Sequence, residues 1–304
     1  MIAAACATSS CRKRSSTATE APRSGPSAGQ AINIGPHDPR SDLEVRDWTF
    51  PAVPGEVAFE RRAVVLIPKS IATSTKLPLL IALHGMGETV DSTTGANGWL
   101  QSYGLDVTLM NLHAPPLTTD AFKGFVTNER LAVINDGLAK RPFGGMIIAC
   151  PYQPAGIGTE SLGYDTYASF LADRLLPRLR AETPVIGTPR STGIDGVSYG
   201  GLNALRMGMM RPEVFGAVGA LQAAVYDEPT IVALIAERLG GRPLHLVTSA
   251  EDVYLPALTT VSKGLEERKV PHEFVVTQGP HGYDWNKGTG AIEMLLWHDR
   301  VLRG

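Results

Sequence analysis

Short apolar runs alternate along this chain with stretches whose apolar residues recur at helical spacing. Ala63-Val64-Val65-Leu66-Ile67-Pro68 predicts a strand. Leu77-Pro78-Leu79-Leu80-Ile81-Ala82-Leu83 predicts another, and its unbroken apolarity is that of a strand covered on both faces. Val107–Leu112 and Met146–Cys150 read as further strands. From Tyr164 to Arg180 the apolar positions Tyr167, Phe170, Leu171, Leu175 and Leu179 fall on one helical face. A short strand around Ile194, a helix over 200–210 closed by Pro212, and strands at Val218–Leu221, Leu244–Thr248 and Glu273–Val276 follow. Helices are expected over Pro256–Arg268 and Ala291–Leu302.

Strands alternating with helices imply βαβ units and a mostly parallel sheet, an α/β fold. The first two strands have no helix between them and should run antiparallel. Residues 85–145 hold few clear elements and many loop residues, and read as insertions shaping a mouth. Residues 1–42 are rich in Ser, Thr, Ala, Pro and Gly and poor in large apolar residues, so they read as a disordered tail or tether. One catalytic domain over 43–304 is the simplest division of the remainder.

Composition narrows the function classes. The 304 residues carry 28 basic and 30 acidic side chains, a net charge of -2, and the only dense basic run is Arg12-Lys13-Arg14 in the tail. A nucleic-acid partner is therefore not expected. Three cysteines, Cys6, Cys11 and Cys150, are no disulfide framework, and Cys150 reads as a small buried hydrophobe. The start is too short for a signal peptide. Small residues running into Cys6 before a polar linker resemble the end of a bacterial lipoprotein signal, with Cys11 a second option. Ala3 stands where a larger aliphatic is usual, and an unstructured cytoplasmic extension is the plainer alternative. Membrane contact, and a cell-envelope location, are expected only through such an anchor. Metal-ligand and phosphate-loop spacings are missing, so neither metal nor cofactor is expected.

The chemistry concentrates in three places. Gly196-Val197-Ser198-Tyr199-Gly200 matches G-x-S-x-G between a predicted strand and a predicted helix. A serine on so sharp a turn projects its hydroxyl from the sheet edge, and close backbone approach requires glycine on both sides. Leu83-His84-Gly85-Met86-Gly87 is a glycine-rich loop directly after the strongest strand, able to present N–H groups to an oxyanion. Near the C-terminus, Glu251 and Asp252 follow one strand and His281 follows the last. Asp252 is the first choice to orient an imidazole, Glu251 the second, and Asp284 a minor rival too near His281 in sequence. His84 precedes the serine and reads as structural. His37, His113, His245, His272 and His298 read as surface or packing residues.

At these blocks, together with Phe170–Pro177, Pro212–Phe215 and Trp285, the chain resembles the "Putative esterase" branch of the α/β hydrolases, a group with esterase D-like and enterochelin-esterase-like members. The resemblance spans roughly residues 60–302. It implies the α/β-hydrolase fold, helices on both faces of the sheet, and a Ser198, Asp252, His281 triad. It also implies an oxyanion hole from the Tyr199 N–H and the Met86 N–H, with Gly87 the alternative. Departures are Tyr199, where the family often has Met, and Gly279-Pro280-His281 in place of a glycine pair before the histidine. The expected activity is hydrolysis of a small-molecule or carbohydrate-linked ester. An acyltransferase on the same triad, or a non-catalytic binding protein on the same scaffold, are the alternatives.

Overall fold

A computed structural model describes residues 40–52, 54–55, 57–69 and 75–303. The expected tail lies outside the described residues except for positions 40–42, and so do Cys6, Cys11 and His37.

Eight strands form one sheet: β1 Leu43–Phe50, β2 Arg61–Pro68, β3 Leu79–Leu83, β4 Ile147–Pro151, β5 Thr192–Gly196, β6 Ala217–Leu221, β7 Leu244–Glu251 and β8 Glu273–Pro280. Their order is β1-β2-β4-β3-β5-β6-β7-β8. β2 is antiparallel to both β1 and β4, and all later neighbours pair in parallel. The mostly parallel α/β sheet is thus as expected. The first two predicted strands do run in opposite directions, but they are not partners, because β4 inserts between them.

Alternation along the strands divides the core into two layers. Val65, Leu79, Ile81, Leu83 and Val218 face one layer, closed by helical residues 164–182 and the helices Tyr199–Met210, Glu228–Arg238 and Leu255–Glu267. Val64, Leu66, Leu80, Ala82 and Ile148 face the other, closed by Leu105–His113, Asn128–Lys140 and Ala291–Leu302. Every residue of β3, β4, β5 and β6 is buried, which is why β3, β4 and β6 read as apolar runs, whereas β5 buries Thr192 and Asp195 beside Ile194 and is apolar at Ile194 alone. Cys150 is buried in β4, and desolvation raises its thiol pKa far above the usual range.

Two expectations need correction. Val107–Leu112 is not a strand but part of the helix Leu105–His113. Besides Asp106, its buried positions are Leu105, Thr108, Leu109 and Leu112, an i, i+3, i+4, i+7 stripe that outweighs the local β preference of Val107 and Thr108. Residues 85–145 are accordingly not loop-dominated, since they also hold the helix Asn128–Lys140, capped by Thr127 Oγ1 accepting from the Arg130 N–H. Among the described residues, no helix is long and apolar enough to cross a membrane.

Candidate active site

The candidate residues collect where the parallel strands end. Asp252 is the first residue after β7 and His281 the first after β8, while Ser198 stands two past the end of β5. Ser198 has φ 57° and ψ -115°, a backbone conformation that an L-residue holds only under constraint. Hydrogen bonds from neighbouring strands supply the constraint. The Val197 N–H donates to Leu83 O at 3.1 Å and the Ser198 N–H to Leu221 O at 2.9 Å. Ser198 O in turn accepts from the N–H groups of Leu202 and Ala224.

The flanking glycines answer to close backbone approach. A Cβ on Gly200 would stand 2.4 Å from His84 O and 2.5 Å from Leu83 O. On Gly196 it would stand 2.5 Å from Gly200 O. The glycine-rich loop after β3 therefore packs directly against the start of the serine helix.

His281 Nε2 lies 3.1 Å from Ser198 Oγ, and His281 Nδ1 lies 2.8 Å from Asp252 Oδ1. Facing a carboxylate, Nδ1 carries the proton, which leaves Nε2 free to accept one from the serine. The Asp252 side chain is 0% exposed, against 27% for His281. Its Oδ2 accepts from the Thr248 hydroxyl at 2.5 Å, and Oδ1 also accepts from the Tyr254 N–H at 3.0 Å. The Tyr254 ring meets His281 edge-on, with ring centroids 5.3 Å apart.

The other acidic candidates stand apart from this relay. Glu251 is exposed at the irregular end of β7, opposite Pro280. Asp284 is also exposed, with its carboxylate 3.6 Å from Lys287 Nζ. Tyr199 opens the helix Tyr199–Met210 and Met86 opens the 3-10 turn Met86–Glu88, so neither N–H has an acceptor within its own helix. Gly87 lies in the same short turn.

His84 is buried and bonded on both ring nitrogens. Nδ1 donates to Gly85 O at 2.8 Å, and Nε2 accepts from the Gln153 N–H at 3.0 Å. Burial lowers its pKa to about 4, so it is neutral at ordinary pH. The Gln153 amide also donates to His84 O and accepts from Asn203 Nδ2, which ties the loop to the serine helix. Among the remaining histidines, His298 does more than pack. Its Nε2 is 3.0 Å from Asp195 Oδ2, with both side chains fully buried beneath the serine turn. Burial raises the Asp195 pKa, while His298 and the Gly196 N–H pull it back down.

Several residues at the site carried no sequence signal. Gln222 follows β6 with φ 44° and is fully buried. Its amide donates to Ser249 Oγ at 2.7 Å and to Pro280 O at 3.0 Å, joining the strand before Asp252 to the residue before His281. Glu88, Tyr103 and Tyr283 form a second cluster beside the glycine-rich loop, with the first two buried and Tyr283 half exposed. No motif marks any of them, because each acts through a partner distant in sequence.

Residues 146–252 match the model of the family described as Putative esterase. No curated protein sequence is similar enough to match. Among solved structures, a ferulic acid esterase is 20% identical, with 86% of this chain and 99% of that one covered and a TM-score of 0.66. S-formylglutathione hydrolase FrmB from Staphylococcus aureus is 12% identical, with 84% and 99% covered and a TM-score of 0.57. The ferulic acid esterase AmCE1/Fae1A from Anaeromyces mucronatus is 16% identical, with 86% and 91% covered and a TM-score of 0.55. At such identities the structural likeness bears on the fold, and the chain has the α/β-hydrolase fold.

Proposed function

We propose that this α/β-hydrolase-fold enzyme, an esterase whose residues 146–252 match the "Putative esterase" family, hydrolyses carboxylic esters through an acyl-enzyme on Ser198. One observation carries the reading. The hydroxyl on the strained turn, the imidazole and the buried carboxylate stand in line at 3.1 and 2.8 Å.

Ser198 Oγ attacks the ester carbonyl carbon as its proton passes to His281 Nε2. Asp252 holds the imidazole in the accepting tautomer and stabilises the imidazolium. The N–H groups of Tyr199 and Met86 receive the oxyanion, each such donor being worth roughly 10²–10³ in turnover. When the intermediate collapses, the C–O bond breaks and the alcohol leaves with the proton from Nε2. Water then enters, gives its proton to Nε2, and attacks the acyl carbon. The acid departs, and the proton returns to Ser198 Oγ.

The substrate is a small-molecule ester. Met86, Tyr226, Val253 and Tyr283 are large side chains left exposed on the segments that carry the site, and they favour an ester with an apolar portion. Ferulic acid is named for two of the structural neighbours, so its esters belong in the first panel.

The test is labelling of the full chain by a fluorophosphonate probe, beside Ser198→Ala, with the adduct located by peptide mass spectrometry. p-Nitrophenyl acyl esters are assayed in parallel, with and without an added alcohol. Labelling at Ser198, and turnover lost in Ser198→Ala, are expected. A folded wild type that neither labels nor turns over overturns the reading in favour of a binding protein. Transfer of the acyl group to the alcohol in preference to water would make the enzyme an acyltransferase.

A further inference from the structure

Glu88 is a carboxylate in an expensive position. It is 2% exposed, and a buried charge needs hydrogen-bond partners to offset its lost hydration. Its hydrogen bonds come from two phenols on different segments. The Tyr283 hydroxyl donates to Oε1 at 2.9 Å, and the Tyr103 hydroxyl donates to Oε2. Tyr103 Oη also accepts from the Gly85 N–H at 2.9 Å. The two rings stack with centroids 5.7 Å apart.

Each contact touches the proposed machinery. Gly85 donates its N–H to Tyr103, so the donors the loop can offer an oxyanion begin at the next N–H, that of Met86. Gly87 lies against the second phenol, since a Cβ there would stand 2.6 Å from Tyr283 Oη. Tyr283 is two residues past His281 and opens the short helix Tyr283–Trp285. That helix is fastened to β8 by Trp285 Nε1 donating to Thr277 Oγ1 at 2.9 Å. Glu88 therefore bridges the loop that carries Met86 and the loop that carries His281. Burial and the adjoining carboxylate raise the pKa of both phenols, which keeps them protonated as donors.

We infer that Glu88 is a positioning residue which, through Tyr103 and Tyr283, locks the oxyanion loop to the histidine loop and so fixes the Met86 N–H relative to Ser198 and His281. This rests on the hydrolase reading. A misplacement of about 1 Å at a reacting centre costs on the order of 10²-fold in rate. Loosening the bridge should therefore lower turnover more than substrate binding.

The experiment compares wild type, Glu88→Gln, Tyr283→Phe and the double variant as full chains. It reads kcat and KM on p-nitrophenyl acetate, the rate of fluorophosphonate labelling of Ser198, and thermal unfolding. Tyr283→Phe removes one hydroxyl from a half-exposed ring, so it keeps the test decisive if Glu88→Gln fails to fold. Expected are falls of about 10–100-fold in kcat and in labelling rate, with KM within about threefold. The double variant should be no worse than the more severe single one, because both break one bridge. Folded variants with kcat and labelling rate within about twofold of a labelled wild type overturn the inference alone, and a lowered unfolding temperature with unchanged kcat does the same. A wild type that does not label overturns the hydrolase reading and this inference with it.

Discussion

Replacing Asp252 by asparagine separates the charge of the relay from its shape. The side chain is fully buried and holds three hydrogen bonds, to His281 Nδ1, the Tyr254 N–H and the Thr248 hydroxyl. Asparagine is nearly isosteric. Its oxygen can stay at the Oδ1 position and keep both His281 and Tyr254 while the amide group turns to Thr248, whose hydroxyl can rotate to accept, or the group can flip, which turns the amide to His281 and leaves the Tyr254 N–H without its acceptor. In the first orientation the imidazole keeps its tautomer but loses the charge that stabilises the imidazolium. Opposite charges about 4 Å apart, at an effective dielectric constant of about 20, attract by about 4 kcal/mol, or roughly three decades in rate. In the second orientation the imidazole reverses, and Nε2 presents a proton to Ser198 in place of a lone pair. The loss then approaches about 10⁴-fold. Asp252→Asn is therefore expected to lower kcat/KM on p-nitrophenyl acetate by about 10³–10⁴ with circular dichroism unchanged. Glu251→Gln, at an exposed position, should stay within about twofold, as surface substitutions usually do. A folded Asp252→Asn enzyme within tenfold of wild type would refute the assignment. So would a Glu251→Gln loss of the same size as the one expected for Asp252→Asn.

Gly200→Ala would place a methyl 2.4 Å from His84 O, a backbone atom, so the serine helix or the oxyanion loop must yield by about 1 Å, at a cost on the order of 10²-fold in kcat. Wild-type turnover from that variant would show that the loop gives freely. Acid stability follows from two buried histidines. Burial lowers the pKa of His84 to about 4 and of His245 to about 3, both below the roughly 6.5 of an unfolded chain. Below about pH 6.5 the unfolded state binds the extra protons. The stabilisation present above that pH is then lost on acidification, at about 2 kcal/mol per pH unit for the pair between pH 6 and 4. Urea unfolding at pH 7, 5.5 and 4.5 measures the slope. His245→Phe, which keeps a ring stacked on Trp297, should roughly halve it, and an unaltered slope would assign the acid sensitivity elsewhere.

How legible each part was depends on how local its causes are. β3 and β4 could be read because burial on both faces excludes polar side chains from five consecutive positions. The serine turn could be read because its glycines fall within five consecutive residues, even though the atoms that impose Gly200, Leu83 O and His84 O, are far away in sequence. β1 was missed at the sheet edge, where only Leu43 and Trp48 of eight residues are buried and the apolar signal is thin. The helix Glu228–Arg238 was missed although Asp227 caps it by accepting from the Thr230 N–H, a local signal open to sequence reading. Glu88 is a different case. Its partner Tyr283 lies 195 residues away, and a lone glutamate after a glycine-rich loop is ordinarily a solvated one.

The same distinction explains how the site holds its geometry. Ser198 is pinned by carbonyls of β3 and β6, the neighbours of its own strand, while Asp252 and His281 leave the ends of the paired strands β7 and β8. The sheet thus fixes the order and spacing of the proposed nucleophile, acid and base through backbone bonds that do not depend on side-chain identity. What it leaves open is the angle at which each short turn leaves the sheet. At those turns the buried polar side chains gather: Gln222 between the acid and base strands, Gln153 between the His84 loop and the serine helix, Glu88 between the His84 and His281 loops. Each joins turns the strands alone leave free to move, and each satisfies hydrogen-bonding groups that would be costly to bury alone. Loss of any one should therefore impair turnover before it impairs the fold, since the hydrophobic layers on either side of the sheet stay intact.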